Sequence, residues 1–332
     1  MVFGPCGGVR PGGACEVDTR PCPFVETPAP SWPAGASVAL RLDDGWPRTS
    51  PLVICDARPS APTLSAAAAM ARAHEGWCDA VLLGDHHDRV DLPASLIASA
   101  CLEAGIRPWV TLTCRDRNAV ALEGELAACS AVGVREVHCV TGDARAAHIR
   151  PDTTEVFDLD SLRLVQLART FDLTVSVAES PLAEPVGRRP ARAADKSRAG
   201  ASWCFLNVGV GAARAAAFVT SAREAGSTMR FVACIAVFTD EPGASRLAGL
   251  PGVILEESAV RRVLGAGDPV QAGIEEAVMS ARQALAVDGI DAVDLSGPAS
   301  TASDAERVAV MRAVAERVRV DAVPPQETEG AA

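Results

Sequence analysis

Two hydrophobic periods take turns along this chain. Short runs, apolar at nearly every position and rich in Val, Ile and Leu, recur at Leu52–Asp56, Asp79–Gly84, Pro108–Thr113, Val137–Val140, Leu173–Ala178, Trp203–Leu206, Phe231–Phe238 and Ala292–Ser296. Runs of that kind suit strands buried on both faces of a parallel sheet. Between them, apolar residues fall three or four positions apart, as on one face of a helix. Such segments are Thr63–His74, Pro93–Ala104, Ala191–Ala199, Ala212–Ala225 and Asp304–Val318. Leu122, Leu126 and Cys129 form the same stripe, with Gly133 placed to end it. Asp160 or Ser161 can cap a helix carrying Leu162 and Val165, and two helical pieces are expected between Phe238 and Ala292. Strands alternating with helices in this way predict an α/β fold, a (β/α)8 TIM barrel. A doubly wound sheet is the alternative, because alternation alone does not prove closure.

The ends break the pattern. Residues 1–36 are rich in Gly, Pro and Cys and have no helix or strand period, so they read as an arm. Cys6, Cys15 and Cys22 could approach a zinc ion, yet a structural site takes four ligands and no fourth Cys or His is near. Residues 37–320 carry the barrel, with Ser37–Leu42 a short strand expected to cap it. Residues 321–332 are a Pro/Glu tail expected to be disordered.

Composition narrows the function. A formal charge of −11 and a pI near 5.0 argue against nucleic acid or an anionic membrane as partner. No apolar run approaches the ~20 residues of a membrane span, and the start, MVFGPCGG, lacks the regions of a signal peptide. Eleven cysteines, an odd number scattered through core segments, read as reduced thiols of a cytoplasmic protein.

Polar groups gather where strands end. The acids Asp56, Asp85, Asp143, Glu179 and Asp240 follow strands, and carboxyl strand ends are where such folds place their chemistry. Acids crowded at one mouth should raise some of each other's pKa values. Asp85-His86-His87-Asp88 could ligate a metal, but adjacent loop residues usually point apart and no metal is expected. Gly209-Val210-Gly211 has no third glycine three residues on and reads as a barrel loop rather than a dinucleotide turn. Arg115 and Arg117 could grip a phosphate or a carboxylate tail, or simply pair with Asp116 or another acid.

One stretch carries a resemblance. Thr113-Cys114-Arg115-Asp116-Arg117-Asn118, a helix, then Gly133-Val134 and Cys139-Val140-Thr141-Gly142-Asp143 resemble the folate-site core of methylenetetrahydrofolate reductases. Val156-Phe157-Asp158-Leu159-Asp160-Ser161, Leu250-Pro251-Gly252-Val253 and Gly273-Ile274 resemble further family motifs, so the likeness spans roughly Leu52 to Gly297. The arm resembles the end of a cysteine-rich module that accompanies some members. The resemblance implies reduction of 5,10-methylenetetrahydrofolate to 5-methyltetrahydrofolate with NAD(P)H, directly or through FAD. The alternatives are a folate-dependent one-carbon transferase and a non-catalytic folate-binding subunit; a homo-oligomer or a partner subunit fits either.

The resemblance also implies roles. Asp56 stands where the family has its catalytic Glu, and Asp143 matches the carboxylate that reads the pterin; both are expected to be catalytic. Asn207 stands at a Gln position facing the pterin edge and joins Asp143 and Arg115 as substrate-binding. Gly142, Ala178 and Lys196 take the cofactor-binding positions, Lys196 heading the family's Lys-x-x-Ala-Gly-Ala run. Lys196 alone could equally be a solvated helix lysine. Arg189, Arg192 and Asp195 depart from the family's phosphate-holding set, and Ser180 replaces its usual aromatic. With no Tyr in the chain, weak or absent FAD and direct hydride transfer from NAD(P)H are expected.

Overall fold

The structure is a computed structural model. It describes residues 12–14, 21–22, 46, 51–85, 90–142, 156, 158–250, 253–297 and 302–320. The strand expected at Ser37–Leu42, Cys6 and Cys15 of the arm, His86–Asp88, Asp143 and the tail lie outside the described residues.

The strands are β1 (Leu52–Ala57), β2 (Ala80–Leu83), β3 (Pro108–Thr113), β4 (Glu136–Val140), β5 (Thr174–Glu179), β6 (Trp203–Leu206), β7 (Arg230–Ala236) and β8 (Ile290–Ser296). They pair in parallel in sequence order, and β8 pairs β1, so the sheet closes. Closure excludes the doubly wound alternative. The helices are α1 (Leu64–His74), α2 (Ala94–Glu103), α3 (Ala119–Val132), α4 (Ser161–Ala168), α5 (Arg189–Ala199), α6 (Ala212–Glu224), α7 (Glu241–Ala248), α8 (Glu257–Leu264), α9 (Pro269–Leu285) and α10 (Asp304–Val320). Three helices, not the two pieces expected, separate β7 from β8.

Local chemistry sets the boundaries. The Thr63, Asn118 and Asp160 side chains accept the first free amides of α1, α3 and α4. Gly133 ends α3 with φ of 96°, a left-handed conformation that costs glycine nothing.

Alternate strand residues face opposite sides of the sheet. One set, including Val53, Val81, Val110, Val137, Val175 and Phe231, packs under the helices. The other set fills the barrel. Its amino-terminal half is solid with aromatic rings despite an aromatic content of 4%. Trp46 and Trp109 stack with centroids 6.0 Å apart, and Trp203 meets Trp109 edge-on at 5.8 Å. Arg107 lies 3.5 Å over Trp46 while its guanidinium pairs with Glu136, closing that end. The described residues thus fill the amino-terminal end, which makes the carboxyl end the candidate side for a ligand.

Gly273 of α9 shows how tightly that end is built. A Cβ there would lie 2.3 Å from the Phe238 carbonyl oxygen and 3.0 Å from Thr239 Cγ2. Gly→Ala inside a helix normally stabilises by about 1 kcal/mol. Here the clash with backbone should reverse the sign, and Gly273→Ala is expected to destabilise by about 1–3 kcal/mol in urea unfolding. Equal or higher stability would mean that α9 slides freely on β7.

Candidate functional site

The inward residues near the carboxyl mouth are polar. Asp56 follows Ile54 on the inner face of β1, and Ile54 pairs with Asp294 of β8. Asp294 in turn pairs with Cys234 of β7. Ser296 Oγ donates to Asp294 Oδ2 at 3.1 Å, while Asp294 Oδ1 is buried without a hydrogen-bond partner. Solvent reaches Asp56 from the mouth, whereas Asp294 is 1% exposed.

The electrostatics follow from that placement. Burial raises the Asp294 carboxyl to about 6, and the Ser296 hydroxyl and the Cys234 thiol act in the opposite direction. Enclosure by the wall and then the Asp294 charge raise Asp56 well above the carboxylate range; the Ser296 hydroxyl lowers it. Water at the mouth weakens the effect of enclosure on Asp56, so the Asp294 charge is the firmer of its two causes. Deeper in the barrel His138 Nδ1 lies 2.8 Å from Ser176 Oγ, which also accepts from Trp109 Nε1 at 2.8 Å. Burial, then the Lys196 charge, push that imidazole down to about 3 and keep it neutral.

The other acids at strand ends divide. Asp85 accepts from the Thr113 amide and hydroxyl and takes both terminal nitrogens of Arg117, at 2.9 and 3.0 Å. It ties the end of β2 to that of β3. Asp240 caps α7 by accepting from the Gly243 amide at 2.8 Å. Glu179 faces outward into the layer under α5. Of the four acids Asp56, Asp85, Glu179 and Asp240, Asp56 is thus the one that faces into the barrel, above the buried Asp294.

Arg115 is paired through one nitrogen and not through another. Its Nε donates to Asp116 Oδ2 at 3.0 Å, while its second terminal nitrogen is buried with no hydrogen-bond partner. Gly142 packs against it with φ of 84°; a Cβ there would lie 3.1 Å from Arg115 Cβ and 3.3 Å from its Nη1. Asn207 stands on β6's inward face at the mouth. Its Nδ2 donates to Ser180 Oγ at 3.0 Å, and its Oδ1 accepts from the Val208 amide.

Lys196 is not the solvated lysine of one sequence reading. It is 5% exposed, its Nζ is 2.7 Å from Glu179 Oε1, and it also donates to the Ala178 carbonyl. Arg192 and Arg189 reach the same carboxylate at 3.4 and 3.7 Å. Neither Glu179 oxygen has a well-aligned hydrogen bond, so these contacts are close ion pairs. Arg189 also donates to the carbonyls of Ala183 and Glu184 at 2.8 Å. Lys196, which the resemblance places at the cofactor, and the arginines beside it are buried around a carboxylate between β5 and α5. A phosphate could reach them only by displacing Glu179. The described residues do not fit a flavin diphosphate at this helix.

A family model for methylenetetrahydrofolate reductase matches residues 62–287. The chain belongs to that family. The match takes in Arg115, Asp143, Lys196 and Asn207, while Asp56 and Asp294 fall just outside it. Among solved structures, an uncharacterized protein from Clostridium thermocellum that binds two copies of 5-methyl-5,6,7,8-tetrahydrofolic acid superposes with a TM-score of 0.61. It shares 9% identity, with 83% of this chain and 96% of that one covered, and shows likeness of fold alone. Tryptophan synthase from M. tuberculosis superposes with a TM-score of 0.47 at 14% identity, over 82% of this chain and 94% of that one. No curated protein sequence matches. No described helix is long and apolar enough to cross a membrane. No described group of three or more His, Cys, Asp or Glu could hold a metal ion.

Sequence reading found Asp56 but missed Asp294, Ser296 and Cys234. The signal was present: a charged residue in the middle of the apolar run Ala292–Ser296 faces in or out by parity alone. His138, likewise a polar residue within an apolar strand, carried the same signal.

Proposed function

We propose that this chain reduces 5,10-methylenetetrahydrofolate to 5-methyltetrahydrofolate, with the folate in the carboxyl mouth and NAD(P)H supplying the hydride. The observation that carries the reading is Asp56, an inward carboxyl open to the mouth, whose pKa is raised by enclosure and the Asp294 charge. Ring opening needs a proton at N10, and an acid tuned toward working pH gives it best. The folate ligand of the Clostridium thermocellum neighbour is consistent with a pterin in this mouth.

The remaining residues take supporting roles. The second terminal nitrogen of Arg115 meets an acceptor on the folate, backed by Gly142. Asn207 turns its amide to the pterin edge, and Asp143 reads the same ring system. A guanidinium beside the entrance also suits the glutamate tail. Nine described cysteines are unbridged.

FAD is not part of this reading, because the cations of α5 are buried around Glu179 rather than open to a phosphate. The protein purified without added flavin is expected to show no 450 nm band and to oxidise NADH or NADPH with methylenetetrahydrofolate, at a rate FAD does not change. A yellow protein whose activity is lost with the flavin and restored by FAD would sink direct transfer. A methylated product formed without NAD(P)H would favour the one-carbon transferase instead. Folate binding with no turnover would favour the binding subunit.

A further inference from the structure

We infer that His138 of β4 is a ligand-binding residue at the floor of the carboxyl mouth, where its Nε2 accepts a hydrogen bond from a ring N–H of the folate's pterin. The inference rests on the reductase reading and adds to it a residue outside the motifs that carry the resemblance.

The open part of the barrel ends on polar side chains. At the level of Ile54, Trp109 and Trp203 the inward residues are closed to solvent. One inward position nearer the mouth, Thr111 of β3 and His138 are 8% and 6% exposed, and Cys234 of β7 is half-buried. The Phe205 ring lies across the His138 imidazole beneath them, with centroids 4.7 Å apart. Thr111 and His138 are paired positions on neighbouring strands, about 5 Å apart across the sheet, so one flat group can meet both.

The hydrogens around Ser176 fix what His138 offers. Ser176 Oγ carries one proton. Trp109 Nε1 can only donate to it, at 2.8 Å, and the Val137 carbonyl, at 3.3 Å, can only accept from it. The lone pair left on Oγ faces His138 Nδ1 at 2.8 Å, so Nδ1 carries the ring proton and donates. Burial and then the Lys196 charge keep the ring neutral, which leaves Nε2 with a bare lone pair. Nε2 has no hydrogen-bond partner among the described residues, yet it is not enclosed as Asp294 Oδ1 is. It opens into the barrel.

The ligand's chemistry follows from that lone pair. An acceptor in a confined apolar setting favours a ligand that brings a donor. A pterin carries a lactam edge, with the N3–H beside the C4 carbonyl. The N–H suits His138 Nε2, the carbonyl suits a hydroxyl such as that of Thr111, and the flat ring suits the aromatic floor. The carboxamide of nicotinamide presents the same two groups, so binding must be measured with each ligand apart.

The test uses the full-length protein and two substitutions that divide the imidazole between them. An asparagine amide sits about where Nδ1 does, and a glutamine amide about where Nε2 does. His138→Asn keeps the bond to Ser176 and empties the side facing the ligand. His138→Gln gives up Ser176 and can turn its carbonyl oxygen to the ligand. The Kd for 5-methyltetrahydrofolate, measured without NAD(P)H, is expected to weaken about 10–100-fold in His138→Asn and less than about fivefold in His138→Gln. KM for methylenetetrahydrofolate should follow that order while KM for NAD(P)H stays at the parental value. In 15N spectra of the parent imidazole, Nδ1 should be protonated and Nε2 bare, and the Nε2 signal should move when 5-methyltetrahydrofolate is added.

The reverse order, with parental binding in His138→Asn and weak binding in His138→Gln, would make the Ser176 bond the residue's whole role and overturn the inference. A change confined to KM for NAD(P)H would give Nε2 to the nicotinamide and overturn the folate assignment. A protonated Nε2 would overturn the acceptor role. If neither variant folds, the response of the parent's Nε2 signal to 5-methyltetrahydrofolate decides. Failure of the reductase reading shows separately, as a parent that forms no 5-methyltetrahydrofolate from NAD(P)H. The binding and 15N measurements need no turnover and still decide the contact.

Discussion

Glu179→Gln is expected to destabilise the barrel by about 3–5 kcal/mol, the usual cost of stripping one partner from a buried ion pair. Glu179 is 2% exposed and is the carboxylate shared by Arg189, Arg192 and Lys196. Glutamine keeps the shape but removes the carboxylate that Arg189, Arg192 and Lys196 share. Part of the loss can be relieved, because Lys196 can shed its proton. Burial already lowers its pKa, and the Glu179 charge is the main influence raising it. In Glu179→Gln the folded-state pKa of Lys196 falls further below its unfolded value. The unfolded chain then binds more protons between those two values, so stability rises with pH across that window. Urea unfolding should therefore show a larger loss at pH 7 than at pH 9.5, and Glu179→Gln with Lys196→Met should recover part of it. A loss below about 1 kcal/mol would show that water reaches this cluster.

That cluster also marks where sequence reading stops. The barrel was legible because each strand is a mostly apolar run and the longer helices have a cap or a stripe, as at Asn118, Asp160 and Gly133. The number of helices after β7 was not, because α7 and α8 are eight residues each and a short stripe has little periodicity to read. Asp56 was found through its place after β1. Asp294 was passed over because it sits within a strand, where motif matching expects packing. Lys196 shows the converse difficulty. Its Lys-x-x-Ala-Gly-Ala context suggested a phosphate ligand, yet burial and Glu179 govern what the side chain does here. A motif fixes the position of a residue, while its neighbours across the layer fix its charge environment, and those neighbours come from distant parts of the chain.

The largest effect on activity is expected from Asp56→Asn. It preserves the volume and leaves an amide at the mouth, but removes the only described inward acid that solvent and a ligand can reach. If Asp56 delivers the proton that opens the folate ring, kcat/KM for methylenetetrahydrofolate should fall by about 10²–10⁴-fold, the usual contribution of a positioned general acid. The loss should fall on turnover rather than on binding. 5-Methyltetrahydrofolate has its ring already open and needs no proton, so its Kd should change by less than about tenfold. Folding should not suffer, because Asn adds no charge beside the buried Asp294 and can donate to its carboxyl group. A melting temperature at or above the parent's at pH 8, together with retained product binding, would confine the defect to chemistry. Parental turnover in Asp56→Asn would remove Asp56 from the mechanism and shift the search for the proton donor to Asp143. Equal losses of turnover and product binding would make Asp56 a folate anchor instead.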